Sequence, residues 1–186
     1  MDSEAQENPK EAIRRRLARL TDSASPSTLP VSTLRKLTEI LPALFDEDYP
    51  QVLTHCDFSV TNILVDEATL AVTGVVDWSL AAVRPFGMDL DILYLTTGFM
   101  TRDDGWHDYA CKKKLLDAFW EEFWSASAID GKDRRARVKD LAEAAGQIGA
   151  ILRQAFRRNN DGSPSEELSL GGSGLAQLRA WLGEDC

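Results

Sequence analysis

No glycine precedes Gly74 in this 186-residue chain. That excludes a glycine-rich phosphate-cradling loop from the first part of the sequence, because such loops depend on the close backbone approach and positive φ that glycine allows. Lysine is scarce in the same stretch, where only Lys10 and Lys36 occur, both in polar, helical-looking surroundings. The 3 cysteines, Cys56, Cys111 and Cys186, are far apart, and there are only 2 histidines. Neither a disulfide framework nor a zinc site fits that count and spacing. A reducing, cytoplasmic compartment is the expectation. No window approaches the roughly 20 apolar residues of a membrane span, and the polar start "MDSEAQENPK" lacks the apolar centre of a signal peptide. Positive charge is also in deficit, 21 Lys and Arg against 30 Asp and Glu, for a net charge of −9. Nucleic acid and anionic membrane both reward a dense basic surface, so neither is expected as a partner. A small molecule or another protein is.

The chain is 44% hydrophobic and long enough for one domain with a real core. "PKEAIRRRLARL" sets Ile13, Leu17 and Leu20 at helical spacing, with arginines on the other face that read as solvated charge. "TDSASPSTLP" is a loop by composition. "VSTLRKLTEILPALF" repeats leucine at 34, 37, 41 and 44, which predicts a second helix with Pro42 kinking it or starting a last turn. From residue 51 the pattern becomes β-rich: "QVLTH", "NILVD" and "AVTGVVDW" read as strands, with a hairpin turn at Asp66 to Thr69. Helical patterns return in "MDLDILYLTTGF", "HDYACKKKLLDAFWEEFWSA" and "KDRRARVKDLAEAAGQIGAILRQAFRRN". "NNDGSPSEELSLGGSG" reads as a flexible linker before a short helix at "LAQLRAWL". The predicted organisation is an N-terminal helix and loop over 1–29, a main unit over 30–160, and a linker with a short helix over 161–186. The fold class is α+β and mainly helical, with a small β-hairpin insert.

That insert holds the ionisable groups. His55, Asp57, Asn62 and Asp77 stand among strand-forming residues, where polar groups are costly to bury unless paired or ligating a metal. Asp57 and Asn62 have the Asp-to-Asn interval of the kinase signature H-R-D-L-x-x-x-N. Asp77 ends a β-rich run further on, where kinases carry the metal-binding aspartate of D-F-G. A lone H-x-D is weak evidence, whereas the joint order of all four is specific. Two carboxylates and an amide so placed can converge on a divalent ion and a substrate hydroxyl. Elsewhere, "GWHDY" reads as the start of a helix, with Trp106 in the core and His107 on the surface; an aromatic acceptor wall is the alternative. Leu115, Leu116, Phe119, Trp120 and Phe123 read as a core stripe, and Trp124 as a core or interface residue.

The segment "VLTHCDFSVTNILVDEATLAVTGVVDWSLAAVRPFGMDLD" resembles the H-G-D-x-x-x-x-N motif of aminoglycoside phosphotransferases and choline kinases, with its following I-D-W/F and a later aspartate. With "PFGM", "GWHDY" and "LLDAFWEEFW", the resemblance extends to fungal aminoglycoside-phosphotransferase-like proteins over about residues 30 to 160. It implies a protein-kinase-like C-terminal lobe, in which Asp57 orients or deprotonates the acceptor hydroxyl and His55 braces the catalytic loop. By the same resemblance, Asn62 and Asp77 hold magnesium, Asp89 buttresses the loop, and ATP is the phosphoryl donor to a small-molecule acceptor. Two departures stand out: Cys56 occupies the usual glycine position, and "FSV" replaces the usual histidine- and proline-containing stretch. A kinase also needs a Gly-rich cover over the phosphates and a strand lysine paired to a helix glutamate, upstream of the loop. Neither is legible here, so the expectation is that the N-terminal lobe is absent. The upper face would then be covered by self-association, by a partner chain, or by the helix around Ile13, Leu17 and Leu20. Two readings follow: a truncated phosphotransferase, weak or inactive alone, or a lobe recruited as a small-molecule-binding or protein-interaction module or to a non-kinase reaction. Against both stands simple inheritance of the loop's hydrogen bonds from a kinase ancestor.

Overall fold

A computed structural model describes residues 8–23, 29–101, 105–160, 162, 164–169 and 173–182. The fold is mainly helical with small antiparallel hairpins. The first helix, α1 (Pro9–Ser23), buries Ala12, Ile13, Leu17 and Leu20, the apolar side its spacing predicts. It lies against α2 (Val31–Ile40), whose Leu34 and Leu37 continue into Leu41 and Leu44 of a 3-10 turn, with Pro42 near its start. Leu17, Leu34, Leu37, Leu41 and Leu44 are all removed from water, each worth about 1.5–3 kcal/mol of transfer free energy.

Among the described residues, four two-stranded antiparallel sheets follow. In the first, β1 (Gln51–Thr54) pairs with β4 (Ala82–Pro85), Thr54 opposite Ala82. Between these strands, β2 (Ile63–Val65) pairs with β3 (Val72–Val75) as the hairpin predicted from the sequence. Its turn is held by Asp66, whose Oδ1 accepts the Ala68 and Thr69 amides at 3.1 and 2.8 Å. The predicted helix over "MDLDILYLTTGF" is shorter than its pattern: α3 spans only Asp91–Leu95. The chain then turns into β5 (Gly98–Thr101), paired with β6 (Gly105–Asp108). Trp106 and His107 therefore sit on a strand, not at the start of a helix; Trp106 Nε1 donates to Asp108 Oδ1 at 2.8 Å.

Two long helices follow, α4 (Lys112–Ala126) and α5 (Lys132–Gln154). Of the expected α4 stripe only Trp120 is buried, and Leu115 is exposed. The stripe instead stacks Phe123 on Phe86, with ring centroids 4.7 Å apart, and sets Trp120 and Trp124 under Lys139 and Arg135 of α5. Helix α5 ends at Gln154, short of the predicted "FRRN". Part of the expected linker is instead strand: β7 (Phe156–Arg158) pairs with β8 (Pro164–Leu168). The last helix, α6 (Ser173–Leu182), contributes Leu175, Leu178 and Leu182 to the same core as α1, α2 and α5.

One face of α5 is built from small residues, Ala142, Ala145, Gly146 and Gly149, all buried. The segment Gly87–Asp91 lies directly on it: a Cβ on Gly149 would collide with the Met88 carbonyl, and one on Gly146 would come within 3.4 Å of the Gly87 carbonyl. Gly87 itself has φ 101°, a conformation that favours glycine. This close approach places Asp89 and Asp91 beneath the loop that follows β1. No helix among the described residues is long and apolar enough to cross a membrane.

Candidate active site

The loop after β1 is held by its own backbone and by one carboxylate. Asp89 Oδ2 accepts the amides of His55 at 2.7 Å and Cys56 at 3.3 Å. The chain turns at Cys56 with φ 65°, the left-handed region in which a Cβ is disfavoured. That is the physical reason a glycine suits this position. His55, 3% exposed, connects the loop to the next strand. Its Nε2 lies 2.8 Å from the Val76 carbonyl and its Nδ1 accepts the Asp57 amide at 3.3 Å. The Nε2–H tautomer satisfies both contacts. Trp78 packs on the imidazole, with ring centroids 4.8 Å apart.

Asn62 closes the loop from the far end, its Nδ2 donating to the Asp57 carbonyl at 3.0 Å. Its own carbonyl accepts the Val76 amide at 2.9 Å, one step beyond the Ile63–Val75 pair. The backbones of Asn62 and Asp77 therefore lie at the same end of the β2–β3 hairpin, next to the loop that carries Asp57. Asp77 has left-handed φ and ψ of 61° and 58°, and Ser79 Oγ donates to its Oδ1 at 2.8 Å. His55 touches Asp57 on one side and the residue before Asp77 on the other.

Beneath the loop, Arg153 of α5 donates to the Phe58 carbonyl at 3.3 Å, lies 3.8 Å from Asp89 Oδ1 and pairs with Asp91. Asp91 is fully buried. Desolvation lowers the Arg153 pKa, opposed chiefly by the nearby Asp89 carboxylate. Burial pushes the Cys56 thiol up, and Asp89 adds to the shift. A cavity of about 160 Å³ adjoins this layer, lined by Ile13, Thr54, Cys56, Arg84, Asp89 and Arg153 among others. On the solvent side, Arg158 of β7 places NH2 3.2 Å from Asp57 Oδ1.

Sequence reasoning missed Arg153, Asp91 and Arg158. The first two carried a signal, since a charge inside "AILRQAF" or "MDLDILYL" needs a partner to be buried. Arg158 carried none, because charged residues at the end of a helical pattern are ordinarily solvated. Among the described residues, no cluster of three or more His, Cys, Asp or Glu side chains forms a metal site.

No curated protein and no solved structure matches the chain. A family model described as the phosphotransferase enzyme family matches residues 2–124, more than half of the chain, and takes in α1, β1–β4 and the loop between them. By that match the chain belongs to the phosphotransferase enzyme family, the aminoglycoside-phosphotransferase-like group to which its loop motif points.

Proposed function

We propose that this chain carries the acceptor- and metal-binding half of an ATP- and magnesium-dependent small-molecule O-phosphotransferase, on a protein-kinase-like C-terminal lobe. The observation that carries this is the Asp89 carboxylate under the His55 and Cys56 amides, because phosphoryl transfer is mostly positioning and that contact fixes the loop presenting Asp57. Asp57 orients the acceptor hydroxyl and takes its proton, and His55 holds the loop to the strand that leads to Asp77. Asn62 and Asp77 supply an amide oxygen and a carboxylate, the hard donors magnesium prefers at sites completed by phosphate oxygens and water. When bound, magnesium neutralises charge on the transferring phosphoryl group.

The nucleotide fits less well. With no glycine before Gly74 and only two upstream lysines, these residues hold a triphosphate from the metal side alone, and turnover by this chain by itself is weak or nil. Calorimetry tests both parts. Magnesium should bind, Asp77→Ala should weaken it, and ATP with magnesium should bind more weakly than micromolar. Unchanged magnesium affinity in Asp77→Ala would remove the ligand role. Micromolar ATP affinity would show that the chain retains more of the nucleotide site than this reading grants.

A second reading is favoured by one feature. The β2–β3 hairpin and its flanks expose Val60, Leu64, Leu70, Val72 and Trp78, a surface that suits an interaction module covered by a second copy or a partner chain.

A further inference from the structure

Arg158 stands at the one catalytic-loop carboxylate that an acceptor must reach. Its NH2 lies 3.2 Å from Asp57 Oδ1, and its NH1 donates to the Gly162 carbonyl at 2.6 Å. The side chain is aimed by its hairpin. Phe156, 2% exposed, anchors β7 in the core opposite Leu168, and the register shifts between Phe156 and Arg158. An irregularity of this kind re-aims a strand side chain. The opposite strand is tied down as well, since Glu166 of β8 pairs with Arg15 and Arg16 of α1 at 2.8 and 3.1 Å. At the tip, Gly162 lies against Leu80, in the turn that follows Asp77; a Cβ there would come within 3.2 Å of the Leu80 side chain. The hairpin thus reaches from the core to the loop and the metal strand together.

The Arg158 and Asp57 side chains are 32% and 41% exposed. An ion pair this wet contributes at most about 1 kcal/mol to folding, so stability does not account for a guanidinium held there. Arg153 brings a second guanidinium to the neighbouring Phe58 carbonyl. Arg153 is itself paired with Asp91 and lies 3.8 Å from Asp89, so Arg158 is the cation that answers Asp57.

We propose that Arg158 selects the acceptor, and that the acceptor is a small molecule bearing an anionic group, a carboxylate or a phosphate, beside the hydroxyl that Asp57 engages. This rests on the phosphotransferase reading above. Without acceptor, the guanidinium and the Asp57 carboxylate neutralise each other. An anionic hydroxy compound offers each group a new partner: its anion takes the Arg158 fork while its hydroxyl donates to Asp57, which exchanges its ion pair for a hydrogen bond. A cationic acceptor must displace the Arg158 guanidinium from Asp57 and leave it beside a like charge with no partner, which disfavours it. A neutral acceptor offers Arg158 no charged partner in return.

Calorimetry on the full chain with magnesium tests this, using D-glycerate and glycerol 3-phosphate as anionic probes and glycerol and choline as neutral and cationic controls. At least one anion should bind about tenfold more tightly than either control, the scale of one charged hydrogen-bonding partner. Arg158→Gln should lose about that factor for the anion alone, Arg158→Lys should recover part of it, and Asp57→Asn, which releases Arg158, should tighten the anion. Comparing the two anions distinguishes a carboxylate reader from a phosphate reader. Anion affinity unchanged in both Arg158 variants overturns the proposal, as does absence of anion binding in the wild type and Asp57→Asn alike. If choline or glycerol binds in an Asp57-dependent way while the anions do not, the acceptor class falls and the phosphotransferase reading stands. If Asp57→Asn and Asp77→Ala leave every ligand and magnesium unaffected, that reading falls instead.

Discussion

At the scale of single residues, the loop after β1 concentrates three unusual conditions within three positions. His55 is buried with both ring nitrogens engaged, Cys56 holds a positive φ, and Asp57 sits in a surface ion pair. Cys56 has a chemical consequence. Its thiol is half-buried and its pKa is raised by burial and then by Asp89, so at neutral pH it holds less thiolate than an ordinary cysteine. Thiolate is the reactive form. Cys111, at the foot of α4, is exposed. Iodoacetamide should therefore modify Cys111 well before Cys56 at pH 7.5, and the gap should narrow as the pH rises and the Cys56 thiol ionises. Mass spectrometry of tryptic peptides measures this, and equal rates at pH 7.5 would contradict the burial of Cys56.

Among the elements, α5 does the most to build the site. Its small-residue face admits the Gly87–Asp91 backbone, and its Arg153 pairs with Asp91 and lies 3.8 Å from Asp89, the acidic residues that this backbone brings in. Both features depend on close contact, so one methyl group should be felt. Gly149→Ala drives a Cβ into the Met88 carbonyl, and overpacking of this kind costs about 1–3 kcal/mol, occasionally more. A urea titration should show a lower midpoint with little change in slope, together with weaker magnesium binding as Asp89 moves from under the loop. An unchanged midpoint would mean that α5 and the Asp89 segment are not packed as described.

For the whole molecule, the contrast lies between a shared core and apolar strand residues left in water, several of them on the β2–β3 hairpin. Helices α1, α2, α5 and α6 bury their leucines together, so Ile13, Leu17 and Leu20 are occupied in that core. The β2–β3 hairpin keeps Leu64 at 50%, Leu70 at 78% and Val72 at 65% exposure. An exposed apolar two-stranded surface invites another chain. Light scattering of the chain by itself should show mass rising with concentration, and Val72→Lys should suppress the rise while leaving the thermal midpoint nearly unchanged, since the site is already wet. A monomer at all concentrations would rule out self-association through this face.

Local sequence was enough for the parts set by short range. The order and spacing of His55, Asp57, Asn62 and Asp77, the Asp66 turn, and the leucine periodicity of α1 and α2 are all legible, because a hairpin and a helix face are fixed by residues a few positions apart. The pairing of β1 with β4 was not legible, nor was the strand character of β5, β6, β7 and β8. Short strands gain their stability from what they pair with, and propensity weighs little against that. Tertiary structure alone decided which charges meet. Arg158 reaches Asp57 across 101 positions and Arg153 reaches Asp91 across 62, distances at which only the packing of α5 and the hairpin beyond it brings a cation to a carboxylate. The sequence determined that this chain carries a phosphotransferase loop; the fold determined that its aspartate faces an arginine.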